Sequence, residues 1–338
     1  MIAQDLAKIF PKATKDKIAG TADAITAYGH LAEINLPHRL AMYLSQVGAE
    51  TEGLKYSKEI WGPTPTEQQK KYDPASGSQL SKDLGNILPG DGKKYRGYGD
   101  LCVTGRGNVT KFYDWCKTNA LKAPNFVDRP ELIATAPWAT IAALHYWATH
   151  TVVDKQTKQV KHINDYADRG NFEMVTRCVN GGLNGFAKRM DYYDRAALVL
   201  LGYAPTGISQ FQKDAGISVD GISGPVTRAA MHTALVKLTP QKERPEIVTA
   251  APVVDTSQPS DIDKSITSHP SVIASILSVI TAAGGKVFDM LSDYRTATVF
   301  AVLTVAILLI GIWVTSRNKK KATEIRDTLR SENGFLNQ

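Results

Sequence analysis

An early stretch of the chain has the apolar spacing of a helix with one buried face. Its apolar residues stand at i, i+3, i+4 and i+7: Leu40, Tyr43, Leu44 and Val47. Glu50 stands seven residues beyond Tyr43 and therefore continues that face. A carboxyl group on a buried face loses hydration, which raises its pKa and suits it to donate a proton near neutral pH. The pattern predicts a central helix that ends in an acid.

Helical periodicity also predicts most of the elements around this central helix. It covers two stretches within 4–36, and then 111–119, 138–149, 164–169, 172–179 and 188–201. Prolines and glycines interrupt residues 63–96 and indicate a long loop, and such loops tend to be functional. We predict a mainly α fold with little strand and with long loops around one cleft.

A second carboxylate follows the first at short range. Glu59 lies nine residues after Glu50, next to Trp61, in a segment with glycine and prolines that favours a wetter loop. Two carboxyls whose surroundings drive their pKa values apart suggest an acid and a base. Glu52 lies roughly 200° around the helix from Glu50 and is interpreted as a surface charge. The alternative is that all three are solvated charges at a helix end.

Two glycine-rich clusters could let the backbone approach a ligand closely. Residues 95–108 hold four glycines together with Thr104 and Asn108, whose hydroxyl and amide groups could bind water or sugar. Residues 180–185 contain Asn180 and Asn184 and could face the same cleft. The first cluster lacks the spacing of a phosphate-binding loop. It could equally be a turn without chemistry.

Composition excludes several classes of protein. The net charge of the 338 residues is +7, but residues 317–338 carry six Lys/Arg and three Asp/Glu, which leaves a mild excess elsewhere and no basic arm for nucleic acid. Three cysteines, an odd number, do not form a disulfide framework. His145 and His150 are five residues apart, off a common helix face, and are interpreted as packing or surface residues. We expect no metal site and no cofactor.

From 35 to 202 the chain resembles the chitinase-like glycoside hydrolases of family 19, in the compact form found in phage endolysins. The resemblance rests on five ordered segments: 39–47, Glu50-Thr51 with 59–62, 85–92, 95–108 and 172–185. It implies a lysozyme-like or chitinase-like helical domain with a deep cleft. It also implies inverting hydrolysis of a β-1,4 bond between amino sugars, for which the two carboxyls must stand roughly 6.5 to 9.5 Å apart to admit a water.

The resemblance also implies roles for individual residues. Glu50 falls at the position of the general acid and Glu59 at that of the general base, while Thr104 falls where a hydroxyl holds the attacking water. Asn108 and Asn180 fall at sugar-contacting positions. Further substrate contacts are expected from three neighbouring cleft residues: Trp61, Tyr95 and Asn184.

The chain departs from the family pattern at positions close to the two carboxyls. Ala49 stands where the family has a histidine before the acid, and Tyr98 replaces the arginine of a Gly-Arg-Gly turn. Residues 100–103 read Asp-Leu-Cys-Val in place of Pro-Ile-Gln-Leu. The acid and base positions are kept while the residues that support them differ, which leaves rate and substrate preference open.

The remaining third of the chain has a different organisation. Residues 208–238 resemble the small three-helix peptidoglycan-binding module through the turn at Asp220-Gly221 and the helix start at Pro225, although a bare helical spacer is the alternative. Residues 296–316 hold 21 residues without a charge, which is enough to span a bilayer. The predicted organisation is a catalytic domain at 1–204, a peptidoglycan-binding-like module at 205–238, a flexible linker at 239–270, a juxtamembrane helix at 271–295, a transmembrane helix at 296–316 and a basic tail at 317–338.

Charge beside the apolar stretch predicts its orientation. Arg317 and Lys319–Lys321 follow it directly, which favours a cytoplasmic tail and an extracytoplasmic catalytic domain. Residues 1–18 lack the apolar core of a signal peptide. We therefore expect a membrane-anchored endolysin that hydrolyses peptidoglycan during host lysis, with peptidoglycan and the lipid bilayer as partners and the oligomeric state open. The alternatives are a non-catalytic wall-binding tether or virion component, a chitinase, and a lytic transglycosylase.

Overall fold

The computed structural model describes residues 3–154 and 158–238, which are mainly helical as the periodicity predicts. The α-helices are α1 (Ala3–Ile9), α2 (Lys15–Tyr28), α3 (Pro37–Glu50), α4 (Glu67–Lys70), α5 (Gln79–Asp83), α6 (Asp91–Lys94), α7 (Arg106–Thr118), α8 (Trp138–Thr149), α9 (Ile163–Ala167), α10 (Phe172–Asn180), α11 (Phe186–Leu200), α12 (Ile208–Asp214) and α13 (Pro225–Lys237). Short 3-10 helices span Gly29–Ala32, Pro74–Ser76 and Pro130–Ala134. Strands β1 (Thr151–Val153) and β2 (Val160–His162) form an antiparallel hairpin.

Helix α3 is the central element of the core. Pro37 occupies its first turn, where the missing N–H is not needed, and every residue from 38 to 48 is buried. Its main partner is α11, and the two approach closely because position 48 is glycine: a Cβ there would lie 2.6 Å from the Tyr192 ring. The predicted amphipathic helix is therefore confirmed, although its burial extends to both faces.

The core consists of two main hydrophobic clusters. The larger one surrounds α3 and includes Tyr43, Trp147 and Tyr193. The smaller one lies between α7, α8 and the preceding loops, and it stacks Phe112 against Phe126 with 5.1 Å between ring centroids. The smaller cluster supports the segment that carries Thr104 and Cys102.

Residues 63–96 contain more structure than the predicted loop. Thr66, Asp73 and Ser78 each accept a backbone N–H and so cap a short helix. The buried carboxylate of Asp91 pairs with Arg106 at 2.6 Å, which ties this segment to the start of α7. The frequent glycines and prolines limit these helices to one or two turns and conceal them from a periodicity search.

Helix α7 begins at Arg106, five residues earlier than its apolar spacing predicts. Gly105 has a φ of 93° and ends the preceding turn, and Gly107 lies within the helix against Gly85. Asn108 is consequently a residue of the first helical turn rather than of a loop.

Residues 205–238 contain two helices, α12 and α13, rather than the three expected of the module. The stretch between them is rich in Gly, Ser and Asp and is not helical. Phe211, Met231 and Leu235 are buried in the same cluster as α3, and the segment belongs to the same compact unit as the residues before it. A separate carbohydrate-binding role for 205–238 stays a prediction.

The predicted linker (239–270), juxtamembrane helix (271–295), transmembrane helix (296–316) and basic tail (317–338) lie outside the described residues. Within 3–154 and 158–238, every helix is too short or too polar to cross a bilayer.

Candidate active site

Glu50 is the last residue of α3 and reaches the surface where the helix leaves the core. Its side chain is 23% exposed, and Oε1 accepts a hydrogen bond from Nη2 of Arg189. Within the described residues, Oε2 has no protein hydrogen-bond partner, so one carboxyl oxygen is held and the other is open to a ligand.

Arg189 of α11 fixes this carboxyl group from beneath. Its side chain is only 3% exposed. Nη1 donates to Gln46 Oε1 at 2.7 Å, and Nε donates to the carbonyl of Asn184 at 3.3 Å. One guanidinium therefore joins α3, α11 and the second glycine-rich cluster, and it leaves little freedom for the Glu50 side chain.

Glu59 lies on the loop after α3 and pairs with the first glycine-rich cluster. Its backbone N–H donates to Gly97 O at 2.7 Å, and Gly97 N–H donates back to Oε2 at 3.2 Å. Gln69 Nε2 donates to Oε1 at 3.2 Å. Both carboxyl oxygens thus accept an N–H, which holds Glu59 in one orientation.

Cys102 lies within the electrostatic reach of both carboxyls. Burial, followed by the negative charges of Glu50, Glu59 and Asp100, raises the pKa of its thiol to about 12. Its backbone has a φ of 50°, in the left-handed region that non-glycine residues seldom adopt. The charges of Glu50 and Glu59 therefore both act on one thiol.

The hydroxyl of Thr104 lies beside Glu59. Its Oγ1 donates to Cys102 O at 2.9 Å. A Cβ built on Gly97 would lie 3.2 Å from that Oγ1, and Gly97 is the residue whose N–H holds Glu59. Thr104 is therefore close to Gly97, the residue that holds the predicted base, and its role in holding a water stays a prediction.

Cys102 and Thr104 line a cleft of about 630 Å³, which is within the usual size of a ligand site, whereas Glu50 and Glu59 lie outside its lining. The cleft is lined by residues of the 101–108 segment, α7, α8 and the start of β1: Leu101, Cys102, Val103, Thr104, Asn108, Lys111, Trp115, His145, Tyr146, Thr149, His150 and Thr151. Asn108 Nδ2 donates to Thr104 O at 2.8 Å, which leaves its Oδ1 available. Burial and then the charges of Cys178 and Glu50 raise the pKa of Tyr146, so this wall is also near the predicted acid.

Trp61 lies on the side of Glu59. Its indole is half-buried and packs against Tyr72 with 6.1 Å between ring centroids. Burial raises the pKa of Tyr72, and the charges of Glu59 and Cys102 raise it further. The buried Trp61 Nε1 has no hydrogen-bond partner among the described residues, which leaves a donor for a ligand.

Asn180 and Asn184 lie on the side of Glu50. Gln46 donates to Thr176 Oγ1 at 3.3 Å and so joins α3 to α10 one turn before Glu50 and Asn180. The buried Oδ1 of Asn180 has no partner in the described part of the chain. Asn184 is exposed and contributes its carbonyl to Arg189.

Tyr95 requires a correction. Its side chain is fully buried, its hydroxyl donates to Val127 O at 2.7 Å, and the Arg106 guanidinium covers its ring at 4.6 Å. A sugar cannot reach this ring in the folded protein, so Tyr95 belongs to the core. An aromatic residue in a glycine-rich segment fits a core role as well as a cleft role, and the sequence alone does not separate them.

The departures from the family pattern near the two carboxyls have different surroundings. Tyr98 is buried, and its hydroxyl donates to Lys94 O at 3.1 Å, so it braces the loop rather than the cleft. Asp100 accepts from Thr140 at 2.8 Å, which anchors the loop to α8, and burial raises the pKa of its carboxyl. Ala49 is half-buried at the end of α3.

Several residues at or near the candidate site cannot be identified from the sequence alone. Arg189 holds the carboxyl group of Glu50 but lies far from it along the chain. Gln69 holds the carboxyl group of Glu59 but lies in a segment that the sequence predicts to be a loop. His145 and His150, interpreted as packing or surface residues, line the cleft together with Tyr146. In the described ranges no group of three His, Cys, Asp or Glu side chains is arranged to hold a metal ion.

Comparison with known proteins gives related sequences and structures. No protein-family model matches the chain. The chain is 28% identical over 211 residues to a glycosyl hydrolase family 19 domain-containing protein of Haemophilus influenzae, which covers 57% of this chain and 92% of the relative. Chitinase C from Streptomyces griseus HUT6037 is 19% identical, with 60% of this chain and 77% of that chain covered and a TM-score of 0.44. A bacterial family 19 chitinase is 20% identical, with 60% and 96% covered and a TM-score of 0.43. The chain is thus similar, over most of the relative's length, to a protein with a glycosyl hydrolase family 19 domain.

Proposed function

We propose that the chain is a glycoside hydrolase that cleaves β-1,4 bonds of peptidoglycan glycan strands with inversion at the anomeric carbon. The observation that carries the proposal is that both carboxyl groups are held in place, Glu50 by Arg189 and Glu59 by Gly97, and that both charges act on the thiol of Cys102, which lines the cleft. The similarity to a glycosyl hydrolase family 19 domain-containing protein independently supports a glycosidase.

The mechanism assigns one role to each carboxyl. Glu50 gives its proton to the glycosidic oxygen through the open Oε2, and the bond between that oxygen and the anomeric carbon breaks. Glu59 takes a proton from a water held by the Thr104 hydroxyl, and the water oxygen bonds to the anomeric carbon from the opposite face. Arg189 and Gly97 hold the two carboxyls in place.

The test is the release of reducing ends from isolated murein. Glu50→Gln and Glu59→Gln should each lower the rate by about a hundredfold or more, because general acid and base catalysis contribute roughly 10² to 10⁴. Glu52→Gln is the matched control, since Glu52 is exposed and two residues away. Proton NMR during the first turnover should show the inverted anomer. A retained anomer, an anhydro sugar product or full activity of Glu59→Gln would overturn the two-carboxylate scheme.

Chitin is the alternative substrate of the same site. Both polymers have β-1,4 bonds between amino sugars, so Glu50, Glu59 and Thr104 would act on either. The resemblance of residues 208–238 to a wall-binding module supports peptidoglycan. Parallel assays on murein and chitin decide between the two.

A non-catalytic wall-binding tether is the alternative from a different class. The contact that favours the tether is the ion pair between Glu50 and Arg189. A carboxyl group that is occupied by a guanidinium is less available to give a proton to the glycosidic oxygen. Tight binding to murein without new reducing ends would establish the tether.

We further propose that the chain acts as a membrane-anchored endolysin in host lysis. The support is the charge-free stretch 296–316 and the basic residues that follow it, which favour an extracytoplasmic catalytic domain. Protease added to intact spheroplasts should digest the N-terminal domain. Protection of that domain would contradict this orientation.

A further inference from the structure

One wall of the cleft consists of aromatic, histidine and lysine side chains that the two-carboxylate mechanism does not use. It is formed by Lys111 and Trp115 of α7, His145 and Tyr146 of α8, and His150 after α8, and we call it the α7–α8 wall. The inference below rests on the proposed function, because it concerns the substrate class of the same cleft.

The rings of the α7–α8 wall form two contacting pairs. Trp115 and His145 have centroids 5.3 Å apart, and Tyr146 and His150 stack at 4.8 Å with an interplanar angle of 18°. Tyr146 is additionally fixed by donation of its hydroxyl to Cys178 O at 2.7 Å. Flat, pre-ordered rings suit the apolar faces of sugar units.

Lys111 supplies the charge of this wall. Burial, followed by the nearby Lys111 ammonium, lowers the pKa of His145 to about 4, and burial lowers the pKa of His150. Both imidazoles are therefore neutral near pH 7. Among the described residues that line the cleft there is no Asp or Glu, so Lys111 carries the formal charge of the lining.

The Lys111 ammonium is also unpaired. It makes no ion pair with any residue in 3–154 or 158–238, whereas Lys117 of the same helix is paired with Asp114 at 2.6 Å. A neutral polymer such as chitin offers this ammonium hydrogen-bond acceptors but no counter-charge. A glycan with carboxylates on its sugars would supply the missing partner.

We propose that Lys111 and the α7–α8 wall bind a carboxylate-bearing amino sugar and so favour peptidoglycan over chitin. The rings stack on the sugar, and the ammonium pairs with the lactyl or stem-peptide carboxylate of a muramyl unit. Lys111 is a specificity-determining residue and takes no part in bond cleavage.

The experiment measures binding by the full-length chain in mild detergent. Glu50→Gln is the background, so that ligands are not consumed. The probes are a tetrasaccharide of alternating N-acetylglucosamine and N-acetylmuramic acid, with free carboxylates, and chitotetraose, which is neutral. Lys111→Gln should weaken binding of the acidic probe about fivefold, the effect of one partly exposed ion pair, and change binding of chitotetraose by about twofold or less.

Lys117→Gln is the matched control, because it removes the same charge from the same helix outside the cleft lining, and it should change neither affinity. High salt should weaken acidic-probe binding by the Lys111 protein more than by Lys111→Gln. Equal losses for both probes, no loss for either, or no binding of the acidic probe would overturn the inference.

The outcomes keep this inference apart from the proposed function. Selective binding without release of reducing ends from murein leaves Lys111 as a specificity residue and refutes hydrolysis. Hydrolysis of murein with affinities that do not respond to Lys111→Gln refutes the role of Lys111 alone.

Discussion

At the scale of single residues, Arg189 has the widest set of contacts in the candidate site. It donates to Glu50, Gln46 and Asn184 O, and its burial means that no water can replace those bonds. Arg189→Leu should lower the free energy of unfolding by at least about 2 kcal/mol, because the buried Gln46 carbonyl loses its partner. It should also lower the rate of murein hydrolysis about tenfold or more, because Glu50 is released. Urea unfolding and reducing-end assays measure the two effects.

Arg195→Leu is the control for this prediction. Arg195 lies on the same helix and pairs with the exposed carboxylate of Asp191 at 3.2 Å, so its loss should cost about 0.5 kcal/mol or less. An Arg189→Leu protein with wild-type stability and rate would show that Glu50 does not depend on the guanidinium.

The sequence can predict the two carboxyls but not the residues that hold them. Glu50 continues an apolar helix face and Glu59 follows within nine residues, so local spacing is enough to suggest both. Arg189 is 139 residues from Glu50, and no local pattern encodes which buried arginine meets which helix end. Tyr95 was misassigned for a related reason, since its exposure depends on the distant Val127 and Arg106.

Cys102 allows a second prediction at this scale. Its pKa of about 12, against an ordinary 9, makes its thiolate about a thousandfold scarcer at pH 8. Higher basicity makes each thiolate more nucleophilic and recovers part of this factor, so alkylation by iodoacetamide should be about thirtyfold slower than for a free thiol. Peptide mass spectrometry follows the reaction, with the urea-unfolded chain as the reference. Labelling of folded Cys102 at the unfolded rate would contradict the raised pKa of its thiol.

At the scale of elements, α13 determines whether residues 205–238 are an appended module or part of the catalytic unit. Met231 is fully buried in the cluster around α3, and His232 contacts Asp168 O at 3.0 Å. Met231→Ala should lower the free energy of unfolding by about 2–5 kcal/mol. It should shift a single transition, reported together by the fluorescence of the core tryptophans and by circular dichroism.

Val226→Ala provides the control within the same helix. Val226 is 41% exposed, so its truncation should cost about 0.5 kcal/mol or less. A separate early transition in Met231→Ala, with the rest of the chain unaffected, would show that 205–238 folds by itself.

The elements were predictable where apolar periodicity is long and less so where glycine intervenes. Helix α3 and the predicted helix over 138–149 agree with the structure because their apolar faces run for three or more turns. Helix α7 begins five residues before its predicted start. Gly105 and Gly107 lower the local helix propensity, so the sequence does not indicate this first turn, but packing against residues 84 and 85 stabilises it. Tertiary contacts of this kind leave no trace in local spacing.

At the scale of the whole molecule, the mainly helical fold follows from composition and periodicity, whereas the division of the core does not. The smaller cluster combines Ala24 of α2 with residues from 95 to 142 that share no single element, and it forms the support under the cleft wall. Which loops meet there is set by long-range packing. The cleft could be expected from the sequence, but its cationic aromatic wall could not.

The dependence of stability on pH is also a property of the whole molecule, and two buried groups oppose each other in it. Burial and the nearby His38 lower the pKa of His232 to about 4, so its contribution is full above pH 6.5 and is lost as the pH falls toward 4. Burial raises the pKa of Asp194 to about 7, because Arg228 stands 4.0 Å away and only partly offsets it. The contribution of Asp194 is therefore full below pH 3.8 and is lost as the pH rises toward 7.

Asp194→Asn separates these effects, because it removes the buried ionisation and keeps the shape of the side chain. The gain in free energy of unfolding over the wild type should be about 2 kcal/mol larger at pH 8 than at pH 4. The full pKa shift of Asp194 would give about 4 kcal/mol, but the variant also removes the counter-charge of Arg228, which reduces the gain. Urea unfolding at the two pH values measures the difference. Asp191→Asn, which removes an exposed carboxylate from the same helix, should show about 0.5 kcal/mol or less. An Asp194→Asn protein that gains nothing at pH 8 would mean that Arg228 neutralises the buried carboxylate fully.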